Sequence, residues 1–349
     1  MFIFTTCQVG AESALKSEFA QFFPSMRSAF ARPGFVTFKT ETPISVEFVY
    51  RSVFARSAAL TLGKIEAEQH DRLATEVWKI AAEQHLFVNR VHVFRRDPLP
   101  VGEQNFEPHH PAELIGLHRN IIEQSPKAKF LGDGAEYLST AALPGETVLD
   151  VVQVDPNLFF IGTHTITETS PIHVRYSGGI LPITLPADVV SRAYLKFNEG
   201  FLWSGITPGK GEHCLDIGAS PGGCSQFLLQ HGVRVTGVDP GAIHPDVLAH
   251  PLFTHIRNRI KDAKRSLLRD VQWITADMNV APNCTLDVLE ELVAQTPTIR
   301  GLLFTLKLIR WELADKLPIL LDRTRSWGFA DVRVKQLVFN RQEVMAAVS

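Results

Sequence analysis

Cysteine is scarce in this chain. Its 349 residues hold four, Cys7, Cys214, Cys224 and Cys284. No two of them form a C-x-x-C pair and none has a histidine at ligand spacing, which argues against a zinc site and against a disulfide framework. The thirteen histidines are scattered, with His109–His110 in a Pro-flanked loop, so no metal is expected. Long apolar runs are missing too: nothing approaches the roughly 18–20 residues of a membrane span, and no charged-then-apolar leader follows Met1. A soluble, cytoplasmic chain is expected, as a monomer. Internal repeats and low-complexity tracts are absent. So is an excess of positive charge, since 35 Lys and Arg against 37 Asp and Glu give −2. Nucleic-acid proteins usually present a basic surface, so any such surface here must be local. One local stretch qualifies. Between His255 and Arg269 stand Arg257, Arg259, Lys261, Lys264, Arg265 and Arg269 against the single acid Asp262, a pattern that suits an RNA contact or a solvated helix face.

The hydrophobic share, 45%, is enough for two domains at the usual size of about 100–200 residues each. Phe2 to Thr6 reads as a strand, Ala11 to Ala20 as a helix, Arg32 to Lys39 as a strand, Ser45 to Leu62 as a second helix, Leu73 to Glu83 as a third, and Phe87 to Phe94 as another strand. Four prolines between Asp97 and Pro111 mark a loop. Thr147 to Val154 and Leu158 to Thr163 read as strands joined by the turn Asp155-Pro-Asn. Residues 1–170 therefore form an α+β region, and the Pro- and Gly-rich residues 171–190 read as a linker. From 191 to 349 strands alternate with helices. Strands are expected at His213–Ile217, Val233–Val238, Phe253–Ile256, Val271–Ala276, Gly301–Leu306, Phe329–Val334 and Glu343–Val348, which implies a mostly parallel, doubly covered α/β sheet of Rossmann-like type. The short last connection demands an antiparallel final strand, as in methyltransferases.

The segment Cys214-Leu-Asp-Ile-Gly-Ala-Ser-Pro-Gly-Gly-Cys-Ser-Gln-Phe-Leu runs from a buried strand through a glycine turn into a helix. Its small residues let a ligand approach the backbone, and the helix start offers free N–H donors. A phosphate-binding P-loop needs a lysine that Gly223-Cys-Ser lacks, and a dinucleotide fingerprint needs glycine where Ser220 stands. What remains is the acid Asp216 two positions before Gly218, then Ser220, Pro221, Gly222 and Gly223. That set suits S-adenosylmethionine, whose methionine end is cationic and which has no phosphate. Asp239, in Gly237-Val-Asp-Pro-Gly, ends the next strand, where a carboxylate can accept both ribose hydroxyls of an adenosine.

Asp216-Ile-Gly-Ala-Ser-Pro-Gly-Gly resembles the glycine loop of the FtsJ-type ribose 2′-O-methyltransferases. That family uses a Lys-Asp-Lys-Glu set, and the resemblance implies Lys196 in Ser191-Arg-Ala-Tyr-Leu-Lys, Asp277 in Thr275-Ala-Asp-Met, Lys307 in Phe304-Thr-Leu-Lys, and Glu343 in Asn340-Arg-Gln-Glu as its members. Ser191 and Asp277 join the residues implied for the cofactor. A ribose hydroxyl is a weak nucleophile that must lose its proton as the methyl group arrives. A lysine held neutral, or placed to stabilise the forming alkoxide, can assist, and Lys307 is the candidate proton acceptor. Asp277 would orient it, and Lys196 and Glu343 would position the ribose.

The resemblance narrows to the subgroup that methylates a cytidine of large-subunit ribosomal RNA, through Asp150-Val-Val-Gln-Val-Asp-Pro, Phe159-Phe-Ile-Gly, Ser191-Arg-Ala and Val271-Gln-Trp-Ile-Thr-Ala-Asp-Met. It implies a THUMP-like RNA-binding module in the N-terminal region, whose start Thr5-Thr-Cys-Gln-Val-Gly-Ala-Glu-Ser-Ala-Leu resembles, and RNA as the partner, with Arg257, Arg259, Lys261 and Lys264 as candidate contacts. The family usually offers adenine a carboxylate after the third strand. His255-Ile-Arg-Asn-Arg has none, which leaves Asn258 or the backbone. Two other readings keep the fold: a small-molecule or protein methyltransferase, and a catalytically silent RNA-binding or ribosome-assembly protein. An Asn-Pro-Pro-Tyr-like motif would favour the former, and Thr275-Ala-Asp-Met-Asn-Val-Ala-Pro contains none.

Overall fold

A computed structural model describes residues 1–42, 45–132, 140–263 and 270–349. They divide into two compact units, Met1–Pro182 and Ile183–Ser349. In the first unit the strands are β1 (Phe2–Thr6), β2 (Met26–Arg32), β3 (Phe35–Thr40), β4 (Ser57–Glu66), β5 (Arg90–Arg95), β6 (Thr147–Asp155) and β7 (Leu158–Thr165), with helices α1 (Glu12–Phe22), α2 (Val46–Tyr50), α3 (His70–Glu83) and α4 (Ala112–Glu123). They form one sheet in the order β2-β3-β1-β4-β7-β6-β5, antiparallel except for the β5–β6 pair. Alternation places the aromatic residues. Phe4, Phe35, Phe94 and Phe160 form one buried cluster, while Leu73, Val77, Trp78, Leu114, Leu117 and Ile121 of α3 and α4 pack with Val91, Leu149 and Ile161 of the sheet. Fully burying each such side chain contributes about 1.5–3 kcal/mol.

The helix expected over Ser45–Leu62 is corrected: it ends at Tyr50, and Ser57–Glu66 is a strand. Alanine and leucine favour a helix intrinsically, but β4 pairs with β1 on one side and β7 on the other, and burial of Ala58 and Ala59 there outweighs a propensity worth only tenths of a kcal/mol per residue. The stretch read as a linker at 171–190 is divided between the units. Up to Pro182 it belongs to the first, where two 3₁₀ turns, Ile172–Arg175 and Ser177–Gly179, bury Val174 and Ser177, and Ser177 Oγ donates to Val93 O at 3.1 Å.

The second unit begins with α5 (Ala193–Ser204) and continues through β8 (His213–Ile217), α6 (Gly223–Gln230), β9 (Arg234–Val238), α7 (Pro245–Leu248), β10 (Phe253–Ile256), β11 (Trp273–Ala276), α8 (Pro282–Gln295), β12 (Gly301–Lys307), α9 (Leu317–Arg325), β13 (Val332–Lys335) and β14 (Glu343–Val348). The sheet order is β10-β9-β8-β11-β12-β14-β13, with β14 antiparallel to both neighbours and the other pairs parallel. β8 is buried along its whole length, as expected of a central strand covered on both faces. α5 lies over β12 and β14: a Cβ on Gly200 would come within 3.0 Å of Leu303 and 3.2 Å of Met345, so this helix approaches the sheet as closely as it does because residue 200 has no side chain. The carboxyl ends of β8, β9, β11 and β12 open along one edge, where doubly wound sheets bind ligands.

Candidate active site

Three strand ends and one helix assemble the site. Asp277 directly follows β11, beside Thr305 of β12, whose hydroxyl donates to Asp277 Oδ1 at 2.7 Å. Lys307 ends β12 and is the register partner of Glu343, the first residue of β14. Lys196 comes from α5. The four side chains form a square of alternating charge. Lys307 Nζ donates to Asp277 Oδ1 at 2.6 Å and in a short contact to Glu343 Oε2, and Lys196 Nζ makes a short contact with Asp277 Oδ2 and lies 3.2 Å from Glu343 Oε1. The Lys307 and Asp277 side chains keep 16% and 15% of their surface exposed, against 8% and 4% for Lys196 and Glu343. Lys307 and Asp277 therefore face the opening.

The electrostatics lock the resting square. Burial alone would raise the Asp277 carboxyl, but Lys196 and Lys307 outweigh it and hold the group well below the usual carboxylate range. Burial would likewise lower Lys307, yet Asp277 and Glu343 outweigh it and raise its pKa. The neutral lysine entertained from the sequence is therefore not the resting form, because two carboxylates stabilise the ammonium.

The glycine loop runs beside this square. Gly218 has φ +77°, and a Cβ there would lie 2.8 Å from Asp277 O, so the loop backbone abuts the residue that anchors both lysines. Gly222 (φ +121°) precedes α6, and a Cβ on Gly223 would collide with Ser191 Oγ at 2.2 Å. That Ser191 hydroxyl is buried and has no hydrogen-bond partner among the described residues. The Ser220–Pro221 peptide is cis. Ser220 Oγ donates to Ala242 O at 2.7 Å, and Asp239 accepts the Ser220 and Gly241 amides at 3.3 and 2.6 Å. Asp216 is buried beneath the loop rather than lining it. Its oxygens accept hydroxyls from Ser225 (2.6 Å) and Thr275 (2.9 Å), and burial, partly offset by those bonds, pushes its carboxyl up to about 6.

The basic stretch lies elsewhere. Arg257, Arg259 and Lys261 are exposed at the end of β10 and on the turn Ile260–Asp262, not on a helix, and Arg257 Nε donates to Pro240 O at 3.3 Å. Lys264, Arg265 and Arg269 lie outside the described residues. β10 is four strand positions from β12, about 19 Å at an inter-strand spacing of ~4.8 Å, so these cations do not flank the square. Asn258 Oδ1 accepts the Arg259 amide at 2.9 Å within its own turn.

Sequence reasoning missed two features. Glu199, one turn beyond Lys196 on α5, is buried and accepts the amides of Val338 and Phe339, both at 2.9 Å, tying the helix of one catalytic candidate to the loop that delivers another. The signal was an acid at i+3 from Lys196 in an otherwise apolar helix. In the first unit, β5, β6 and β7 gather His92, Asp150 and His164, whose ligand-type atoms lie within 4.8 Å of one another. Histidines scattered in sequence are thus neighbours in space.

A mostly parallel sheet with its last strand inserted antiparallel, a glycine loop after β8 and a charged square at the neighbouring strand ends define a methyltransferase fold. Residues 189–316, which lie within the second unit, match the family model of the FtsJ-like methyltransferases. The chain is 30% identical over 227 residues to a ribosomal RNA large subunit methyltransferase M of Hahella chejuensis, covering 59% of this chain and 57% of that one. It is 32% identical over 180 residues to the protein of that name from Laribacter hongkongensis, covering 48% and 49%. The matched region thus spans about half the length of these curated relatives. Among solved structures it is similar to TrmN from Thermus thermophilus, at 15% identity over 100% of this chain and 99% of that chain with a TM-score of 0.36. No helix among the described residues is long and apolar enough to cross a membrane.

Proposed function

We propose that this chain methylates a ribose 2′-hydroxyl of RNA, with a cytidine of large-subunit ribosomal RNA as its target and S-adenosylmethionine as donor. The observation that carries this reading is the close approach of Gly218 to Asp277, which sets the glycine loop directly against the Lys196–Asp277–Lys307–Glu343 square. The loop suits the donor through the unpartnered Ser191 hydroxyl, the amides opening α6, and an Asp239 carboxylate suited to ribose hydroxyls. Asp216 supports the loop through Ser225 and Thr275. When bound, the donor supplies an electrophilic methyl group.

The residues of the square act on the acceptor. Lys307, the exposed lysine, meets the hydroxyl; Asp277 holds Lys307 in place, while Lys196 and Glu343 fix the other two corners. Because its carboxylate neighbours keep Lys307 protonated, it must shed that proton before it can take the one leaving the hydroxyl. Transfer should therefore accelerate with rising pH through the neutral and alkaline range, and a pH-independent kcat would assign Lys307 to stabilising the alkoxide as an ammonium instead. The first experiment is transfer of labelled methyl from S-adenosylmethionine into total RNA from a strain lacking this protein, with nuclease mapping. Label in an alkali-resistant 2′-O-methyl dinucleotide is expected. No label in RNA, with donor binding intact, overturns the acceptor and favours a small-molecule acceptor or a silent binding protein.

A further inference from the structure

The square contributes no net charge: two lysines face two carboxylates. A polyanion brought to it must be held by other groups. Most arginines of the second unit are already engaged, with Arg234 on Asp270, Arg300 on Glu212, Arg323 on Glu290, Arg325 on Asp322 and Arg333 on Asp331. Arg310 and Arg341 are different. Both are exposed, and neither guanidinium has a hydrogen-bond or ion-pair partner among the described residues; Arg259 shares this state but follows β10, four strand positions from β12.

Their positions are set by the site itself. Arg310 stands three residues after Lys307, and Arg341 two before Glu343. The Leu308 amide donates to Gln342 O at 2.9 Å, which keeps the two segments side by side beyond the last rung of the β12–β14 ladder. The Arg341 backbone is fixed: its carbonyl accepts from Gln336 Nε2 at 3.2 Å and from the Glu343 amide at 2.7 Å, and the loop before it hangs on Glu199. Ile309, next to Arg310 in the chain, is 61% exposed. Glu312, on the following turn, is not within ion-pair distance of either arginine.

We propose that Arg310 and Arg341 are the phosphate clamp of the acceptor site, gripping the phosphodiester backbone on either side of the ribose presented to Lys307. This deepens the RNA 2′-O-methyltransferase reading and rests on it. A guanidinium offers a planar fork of donors that matches phosphate oxygens. Two such forks at the mouth, with the exposed Ile309 beside one of them, fit a strand that alternates anionic and apolar groups. Contacts of this kind position the substrate and are insensitive to its sequence.

The test compares Arg310→Glu, Arg341→Glu and the double variant with wild type and with Arg325→Glu, an arginine already paired and away from the mouth. Binding to transcribed large-subunit ribosomal RNA is measured across a salt series, alongside methyl transfer and donor affinity. Each mouth substitution should raise KM and the RNA Kd at least tenfold, leave donor affinity unchanged, and flatten the slope of log K against log salt by about 0.7–1 per arginine. Lysine at either position should recover part of the loss, and Arg325→Glu should match wild type. Unchanged Kd and salt slope in the double variant overturns the clamp. So does equal displacement of the RNA by polyglutamate from wild type and double variant. If wild type binds RNA yet transfers no methyl group to it, the RNA 2′-O-methyltransferase reading fails, and the binding series still decides the arginines.

Discussion

Each unit holds a buried cluster of ionisable side chains on a sheet, and the two clusters are built differently. In the first, Asp150 Oδ2 lies 2.6 Å from His164 Nδ1 and Oδ1 lies 3.7 Å from His92 Nδ1, all three side chains are at most 5% exposed, and His164 Nε2 is held by Val174 O at 3.2 Å. These residues sit within strands, so every direction is closed by neighbouring chain. In the second, Asp277, Lys307 and Glu343 sit where strands begin or end, and two of the four members stay partly exposed beside a glycine loop. Depth alone does not distinguish the two clusters. Position along the strand does, because only a strand end leaves one side open to a substrate.

Substitutions can break this contrast. Lys307→Ala should lower kcat by about 10²–10⁴, the usual range for loss of a positioned proton-transfer group, with donor affinity kept in calorimetry. Turnover within threefold of wild type would remove Lys307 from the chemistry. Asp150→Asn should do the reverse. Taking the carboxylate from His164 Nδ1 should cost about 3 kcal/mol of stability in the first unit, the upper end for disrupting a buried hydrogen bond, read by calorimetric unfolding, while the rate per folded molecule stays near wild type. A stable Asp150→Asn variant with collapsed activity would merge the two clusters into one functional system.

The pH response sharpens the difference. Asp216 has its carboxyl raised from 3.8 to about 6 by burial, so the folded state holds a proton that the unfolded chain releases first. Its contribution is full below about pH 4 and is lost as pH rises through 6, up to about 3 kcal/mol at 1.36 kcal/mol per unit. His92 has its pKa lowered, chiefly by burial, so its contribution is present above pH 6.5 and is lost on acidification. Unfolding of Asp216→Asn across pH 4–7 should lack the first trend and keep the second; an unchanged profile would show that Asp216 titrates normally. The smallest effect is expected at Asp239→Ala, which should weaken donor binding by about 1.5–3 kcal/mol, the cost of losing a charged hydrogen bond. Undiminished affinity would move the adenosine off β9.

Much of the second unit was legible because a doubly covered parallel sheet writes each strand as a short apolar run ended by a functional residue. His213–Ile217, Phe253–Ile256 and Glu343–Val348 have the bounds their patterns imply. The four members of the square, far apart in sequence, are brought within contact. The first unit was harder to read. β4 carries a helix-favouring sequence overruled by two flanking strands, and β2 and α4 went unread, β2 with six of its seven positions outside the core. Burial of a polar residue also leaves no periodic mark, so Glu199, the depth of Asp216 and the His92–Asp150–His164 cluster emerged only in three dimensions.

The strand order carries a consequence for synthesis. β14 follows β13 in the chain but lies between β13 and β12 in the sheet, and it delivers Glu343. Until β14 has been made and has paired with β12, Asp277 is the one carboxylate of the square that Lys196 and Lys307 can have, and the β12 edge toward β14 is open. Insertion of this late strand zips that edge shut and balances the charges in a single event. The four-residue square is therefore complete only once the sheet is closed.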